Sequence, residues 1–395
     1  MANSTNINHL LEHNVDEIID LASLTQKLNS SKPLRIKLGV DPTRPDLHLG
    51  HAVTLFKLKE FQELGHIIIF LIGDYTTRIG DPSGRSATRP ALTEEEIEHN
   101  AQTYLDQVGK ILNIDKCEIR RNSEWFSQMT FADIIKLLSQ VTVAQILDRE
   151  DFKNRLGNNI DLAMHEIIYP IMQGYDSIQL KADIELGGVD QKLNLLMGRH
   201  LMKKFDLPEQ DIMVMPLLIG IDGVKKMSKS LDNYIGISES PDQQFGKVMS
   251  IPDNLIIDYW KLCTHISDDE LTNIQKELSS NTNPRDIKIQ LAKAIVAMYH
   301  DAGAADQAET NFINTFQKGE TPPDIPTITI ELIPTPIADL LINTALTTSK
   351  SEARRLIEQK GVKIDQQTIT NPEAVITPMS GMVIQIGKRK FVRLG

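Results

Sequence analysis

Two short runs of this 395-residue sequence carry side chains suited to work on phosphate. The first is His48-Leu49-Gly50-His51. Histidines three apart share one face of a helical turn, and the glycine between them lets a nucleotide approach the backbone. Imidazole N–H groups placed there can donate to oxygens on which charge builds during attack at an α-phosphate. The second run is Lys226-Met227-Ser228-Lys229-Ser230, in a loop just behind Gly220-Ile221-Asp222-Gly223. Lysines on such a loop, interleaved with Ser228 and Ser230, can close over a triphosphate and neutralise departing pyrophosphate. Taken singly, an H-x-x-H turn and a lysine loop are ordinary surface features.

The elements around these runs decide whether they can meet. Residues 34–40 (LRIKLGV) read as a strand, followed by the turn DPTRPDLH and a helix to Leu64, with Leu49, Val53 and Phe56 at helical spacing and Gly65 at its end. Residues 66–73 (HIIIFLIG) form a fully apolar run of the kind buried in parallel sheets. Strand, crossover helix, strand is the unit of a doubly wound α/β sheet, and such sheets hold nucleotides at the carboxyl ends of their strands. Residues 117–120, 182–186 and 212–220 are further strand candidates. HLGH follows the first strand and KMSKS a late one, so both runs fall at that edge.

A third set is polar where an apolar helix is expected. Tyr169, Gln173 and Asp176 fall at i, i+4 and i+7 on one face, and a polar stripe facing a core is costly without a partner. Gly187, Gly188, Asp190 and Gln191 lie where a strand gives way to a helix. They read either as a tight turn capped by Asp190 or as a place where a ribose meets Asp190.

The order of the two phosphate runs resembles the signature motifs of the class I aminoacyl-tRNA synthetases. Gly80-Asp81-Pro82-Ser83-Gly84-Arg85, the Tyr169–Asp176 segment and Gly187-Gly188-Val189-Asp190-Gln191 are similar to the tyrosyl-tRNA synthetases. So is the C-terminal segment, which resembles the S4-type RNA-binding domain of bacterial members. The resemblance runs from about residue 34 to the end. It implies a tyrosine–tRNA ligase with partners L-tyrosine, tRNA(Tyr) and ATP as substrate, Mg2+ arriving with the nucleotide, and a homodimer built through an insertion at 115–180 that is too short for editing. It assigns His48, His51, Lys226 and Lys229 to catalysis. ATP binding is shared by those residues with Gly50, Gly187, Gly188, Asp190, Gln191, Ser228 and Ser230. Asp81, Tyr169 and Gln173 surround the substrate ammonium, and Asp176 receives the phenol. Arg85 and Arg89 match basic positions that reach pyrophosphate, and otherwise read as surface arginines. Asn122 matches an asparagine near the substrate.

One position departs from the family. Where many members present a tyrosine to the phenol, this sequence has Lys37. Its ammonium either joins Asp176 in receiving the phenol or snorkels towards phosphate or solvent. Two other readings stand beside the tyrosyl one: a tryptophanyl enzyme, against which the polar stripe and the tail speak, and an RNA-binding protein that lost catalysis, against which intact HLGH and KMSKS speak.

The composition agrees. Hydrophobic residues make up 41% and charged residues 24%, as in soluble globular chains. No apolar run approaches the roughly 20 residues of a membrane span, and the acidic, helical N-terminus is not a secretory signal. Cys117 and Cys263 lack any zinc or disulfide spacing, so no metal site is expected. A cytoplasmic protein without membrane or DNA partners follows. From Lys350 onward nine Lys/Arg face four Asp/Glu, a net of +5 that leaves −16 for the rest of a chain totalling −11. That basic tail reads as an RNA-binding element or as a small surface-rich domain. The expected layout is a Rossmann-like domain over 1–235, a helical domain over 236–318, a Pro-rich linker over 319–335 and an S4-like α+β domain over 336–395. The last would hold helices over 336–346 and 351–360 and short strands in VKID, AVIT, MVIQIG and KFVRLG.

Overall fold

The computed structural model describes residues 4–30, 32–82, 92–280, 282–317, 325–387 and 390–395. Arg85, Arg89 and the first part of the expected linker lie outside the described residues. The chain divides into two compact units, Met1–Ala305 and Asp306–Gly395.

The first unit opens with α1 (Ser4–Glu12), β1 (Glu17–Ile19), α2 (Leu21–Leu28), β2 (Arg35–Val40), α3 (Leu49–Glu63) and β3 (Ile67–Ile72). It continues through α4 (Glu94–Val108), β4 (Cys117–Arg121) and the helices α5 (Ser123–Phe126), α6 (Phe131–Leu138), α7 (Val143–Leu147) and α8 (Glu150–Gly157). Then come α9 (Met164–Leu180), β5 (Ile184–Gly188), α10 (Lys192–Lys204) and β6 (Asp211–Met215). Four further helices follow, α11 (Pro241–Met249), α12 (Ile256–Cys263), α13 (Asp268–Ser279) and α14 (Pro284–Tyr299).

The six strands pair in the order β1-β6-β5-β2-β3-β4. Strands β2 to β6 are parallel, and β1 lies antiparallel on β6. The order reverses between β2 and β5, so the crevice of a doubly wound sheet opens beyond Val40 and Gly188. Strand β3 explains why the middle of the sheet is stable: Ile68, Ile69, Phe70, Leu71 and Ile72 are all buried, each contributing roughly 1.5–3 kcal/mol through lost apolar exposure. Helix α3 ends where the sequence indicates, with Gly65 at a φ of +87°. Strand β1 was not legible, because its three residues sit in a stretch of helical period and gain their strand state only by pairing with β6.

Helices α9 and α10 cross at two glycines. A Cβ on Gly174 would lie 2.9 Å from Leu201 and 3.0 Å from the Gly198 nitrogen, and one on Gly198 would lie 2.5 Å from Gln210 Nε2. No larger residue fits, and the crossing brings α10 against the polar interior behind α9.

The helices expected as a separate domain over 236–318 are part of the first unit through Tyr299 and on to Ala305. Helices α11, α12 and α13 pack on α14, α12 also reaches α3, and Phe245, Ile256, Tyr259, Leu291 and Ile295 are buried there. The division falls inside α15 (Ala302–Gln317).

The second unit contains β7 (Thr327–Ile328), β8 (Thr335–Pro336), α16 (Ile337–Asn343), α17 (Lys350–Glu358), β9 (Val362–Ile364), β10 (Gln367–Thr368), β11 (Val375–Ile376), β12 (Val383–Ile386) and β13 (Lys390–Leu394). It is the small α+β body expected, with Ile337, Leu340, Leu341, Ile357, Val362 and Ile384 at its core. Strand β7 pairs with β13 and β8 with β11, so the described part of the expected linker belongs to this unit's sheets.

Candidate active site

A cavity of about 430 Å³ lies at the carboxyl ends of β2 and β5, where the strand order reverses. It gathers residues scattered through the sequence: Lys37, His48, Gly50, His51, Asp81, Tyr169, Gln173, Asp176, Gly187, Gly188, Asp190, Gln191, Lys226, Ser228 and Ser230 all line it. Lys229 stands beside it, with Nζ 3.4 Å from the Arg44 carbonyl and 5.4 Å from the centre of the Tyr104 ring. Asn122 is fully buried behind Asp176.

The two histidines of HLGH begin α3 with their rings 3.8 Å apart. The His48 backbone N–H donates to His51 Nδ1 at 3.2 Å, which leaves the His51 proton on Nε2. Burial pushes His51 down to about 3, helped by the charges of Lys229 and Lys226. His48 is held well below its ordinary range by burial, then by His51 and the same lysines. Both rings are therefore neutral near pH 7, each with a single N–H to give. His48 Nδ1 is buried without a partner in the structure, a sign of a ligand group, since buried polar atoms are almost always paired.

The lysine loop is held to its sheet by Asn233. Its Oδ1 accepts from the Ser228 N–H at 2.7 Å, and its Nδ2 donates to Asp222 Oδ2 at 2.9 Å and to the Lys226 carbonyl at 3.1 Å. The loop joins HLGH through the next segment, where Leu49 N–H donates to the Ile235 carbonyl at 3.0 Å. Lys226 Nζ reaches across to Asp190 Oδ2 at 2.6 Å. The two candidate nucleotide-binding residues are thus bonded to one another here, and a ribose or phosphate would compete for both.

The face of α9 shows what the other half of the cavity is built to hold. Tyr169 gives its phenol proton to Asp41 Oδ2 at 2.9 Å, and Asp41 is fixed in turn by Thr76 at 2.8 Å. The Gln173 amide N–H₂ points to Glu185 Oε1 at 3.4 Å, and Gln191 donates to Asp81 Oδ2 at 2.7 Å. The Tyr169, Gln173 and Gln191 donors are spent on carboxylates, and the acceptors left on this face suit a cationic group such as an ammonium. One turn on, Asp176 accepts from Trp125 Nε1 at 3.0 Å, with Asn122 Nδ2 at 3.5 Å. Burial raises its carboxyl to about 8, against the opposing pull of Lys37 and these two donors.

Lys37 takes neither course expected of it. Its ammonium is fully buried and bonds Glu185 Oε1 at 2.8 Å, the Gln173 carbonyl at 3.0 Å and Ser177 Oγ at 2.8 Å. An ammonium has three protons, and all three are engaged. Glu185, itself buried, also receives Ser177 Oγ at 3.0 Å and Gln210 Nε2. Lys37 therefore braces the turn of α9 that bears Gln173 and Asp176, and neither meets Asp176 nor snorkels outward.

Sequence reasoning missed Asp41, Thr76, Trp125, Ser177, Glu185 and Gln210. Only Glu185, a carboxylate inside a strand otherwise apolar, carried a signal that could have found it.

The family pattern described as tRNA synthetases class I (W and Y) matches residues 29–317. The chain belongs to that family. Residues 317–394 of this synthetase match the tyrosine–tRNA ligase SYY-like C-terminal domain. It is 50% identical to the tyrosine–tRNA ligase of Moorella thermoacetica over 98% of its own length and 94% of the relative's. It is 49% identical to that of Haemophilus influenzae, over 97% and 95%. Its fold matches the crystal structure of a C-terminally truncated mitochondrial tyrosyl-tRNA synthetase from Aspergillus nidulans with a TM-score of 0.67, at 22% identity over 80% of this chain and 95% of that one. The tyrosyl-tRNA synthetase of Archaeoglobus fulgidus, complexed with L-tyrosine, gives 0.63 at 22% identity over 78% and 100%.

Proposed function

We propose that this synthetase is a tyrosine–tRNA ligase that activates L-tyrosine with ATP and passes it to the 3′ end of tRNA(Tyr). The observation that carries this reading is the single cavity in which the α9 acceptors face the paired histidines and the lysine loop. The ammonium of tyrosine is received by the oxygens of Tyr169, Gln173 and Asp81, and its phenol by Asp176. A buried polar group left unpaired by phenylalanine is penalised, which gives discrimination at that end; a synthetase of this specificity is itself the standing example of the effect.

The carboxylate then attacks the α-phosphate of ATP in line. His48 and His51, as neutral donors, and Lys226 and Lys229, as charges, stabilise the pentacoordinate state without a covalent intermediate. Gly187, Gly188, Asp190 and Gln191 take the adenosine end, with Gly50 beneath the phosphates and Ser228 and Ser230 on the loop above. The Lys226–Asp190 pair must part as the nucleotide enters. Magnesium comes with ATP, and for Arg85 and Arg89 a role towards pyrophosphate rests on the family resemblance alone.

Transfer to tRNA needs a second surface. The S4-like unit supplies it through exposed Lys350, Arg354, Arg355, Lys360 and Arg393, since phosphate contacts dominate RNA affinity. The insertion supports a homodimer, because α6 to α9 expose Phe131, Ile135, Val143 and Met164. Such a run of apolar side chains marks an interaction face. No helix among the described residues is long and apolar enough to cross a membrane, and the site of action is the cytoplasm, where tRNA is charged.

ATP–pyrophosphate exchange screened over all twenty amino acids tests the reading. Tyrosine alone is expected to support it. Exchange driven best by tryptophan or phenylalanine, or by none, overturns it.

A further inference from the structure

On the first helix, away from the cavity, two imidazoles stand one turn apart. His9 and His13 are i and i+4 on α1, with rings stacked at 4.4 Å and an interplanar angle of 16°. Facing them from α3 is Glu60, whose Oε1 lies 3.3 Å from His13 Nδ1. One ligand atom from each of the three side chains lies within 4.8 Å of the other two. A tetrahedral ion with bonds of about 2.1 Å holds its ligand atoms about 3.4 Å apart. The His13–Glu60 edge already has that spacing, and His9, which is exposed, has its ligand atom within 4.8 Å of both and closes on them to complete the triangle.

The carboxylate is oriented for this. Its second oxygen is held at 2.5 Å by the Lys57 ammonium, which is buried and also donates to the Leu10 carbonyl at 3.0 Å. Lys57 thus fixes Glu60 from behind and leaves Oε1 turned to the histidines, as outer partners of metal-binding carboxylates do. It also cancels the charge of Glu60, so the site draws its affinity from imidazole nitrogen rather than from net negative charge. That selects zinc, nickel or copper over magnesium or calcium.

We propose that His9, His13 and Glu60 form a site for one divalent transition-metal ion of the zinc type, with water completing the shell. Bound there, the ion clamps α1 to α3, the helix whose first turn carries His48 and His51. Three protein ligands, one beside an ammonium, make a site of moderate strength, with dissociation on the order of micromolar rather than the far tighter binding of closed structural sites.

The test uses the full-length protein stripped by chelation. Titration calorimetry with zinc chloride is expected to give one ion per chain, and thermal unfolding is expected to shift upward by a few degrees at saturation. His9→Ala and His13→Ala each weaken this binding tenfold or more, while millimolar magnesium does not compete. His9→Ala is the cleaner variant, because its ring is exposed and its loss leaves the Lys57–Glu60 pair intact. It keeps the parent's melting temperature without metal and the parent's pyrophosphate-exchange rate. No saturable zinc binding at 100-fold above micromolar levels overturns the proposal. So does one-to-one binding that is unchanged in both variants, which places the ion on His48 and His51 or on a cysteine.

Discussion

Replacing Lys37 with methionine takes one member from a buried pair and leaves the other. Glu185 is 1% exposed and would keep Ser177, Gln210 and Gln173 as donors but lose its only cation among the described residues. Breaking a buried pair from one side costs about 3–5 kcal/mol. For a domain of this size that is a fall in melting temperature of roughly 5–15 °C. Converting Glu185 to glutamine as well removes the stranded charge and keeps an acceptor for Ser177, so the double variant should regain most of the loss. The functional effect follows from what Lys37 holds, the carbonyl of Gln173 and the hydroxyl of Ser177 on either side of Asp176. Displacing that turn by about an ångström costs on the order of 100-fold in tyrosine kcat/KM. The KM for ATP should move little. Preference for tyrosine over phenylalanine should survive, because Asp176, Asn122 and Trp125 remain. Urea unfolding of parent, single and double variants, with exchange kinetics in both substrates, makes the comparison. A Lys37→Met protein as stable as the parent, or a double variant no better than the single, refutes the brace. Selectivity lost with stability retained would return Lys37 to direct contact with the phenol.

Three further outcomes follow from the geometry. Asp176 is raised to about 8, and a phenol proton is best received by its ionised form, so tyrosine affinity should climb by up to roughly 25-fold between about pH 6.5 and 8.5. By the same shift the folded state retains a proton that the unfolded chain releases above its ordinary value of 3.8, so this group's stabilising effect is full in acid and is lost as pH rises through about 8; equilibrium dialysis of tyrosine across that range checks the first claim, and a flat profile contradicts it. Phe131→Asp with Ile135→Asp should break the proposed homodimer and lower the sedimentation coefficient to that of a monomer, and an unchanged coefficient removes the insertion as the contact. Ending the chain after Thr321 should preserve adenylate formation and lower tRNA charging by at least tenfold, most strongly at low salt, where phosphate contacts contribute most; normal charging by the shortened protein would deny the second unit its RNA role.

The parallel strands and the meeting of HLGH with KMSKS at one cavity were legible because each depends on local pattern. An apolar run such as 66–73 has one stable place, inside a sheet, and HLGH and KMSKS need only a strand end to project from. The stripe on α9 was legible too, since helical period alone places Tyr169, Gln173 and Asp176 together. What escaped was the layer behind them. Asp41 orients Tyr169, Glu185 orients Gln173, and Trp125 holds Asp176, across sequence distances that no period spans. Lys37 illustrates the limit: alternation along a strand gave its face, but its partner was decided by β5 pairing beside β2. His9 and His13 share one face of α1 by the same period but went unread in the sequence, and their third member, Glu60, belongs to another helix.

The strand order has a consequence for synthesis of the protein. Strands β2, β3 and β4 are made early and can pair as they emerge, but the other neighbour of β2 is β5. Ile36 waits for Ile184 and Lys37 for Glu185, and until then the nascent chain carries an open sheet edge bearing a lysine destined for burial. No fragment ending before β6 and the lysine loop can recognise substrate, because the cavity is closed from both sides of that seam. Release of a prematurely terminated chain therefore yields a body with an unpaired edge and no activity, the kind of species that chaperones and proteases take up. A stall between β4 and β5 is the point at which such capture is expected to be heaviest.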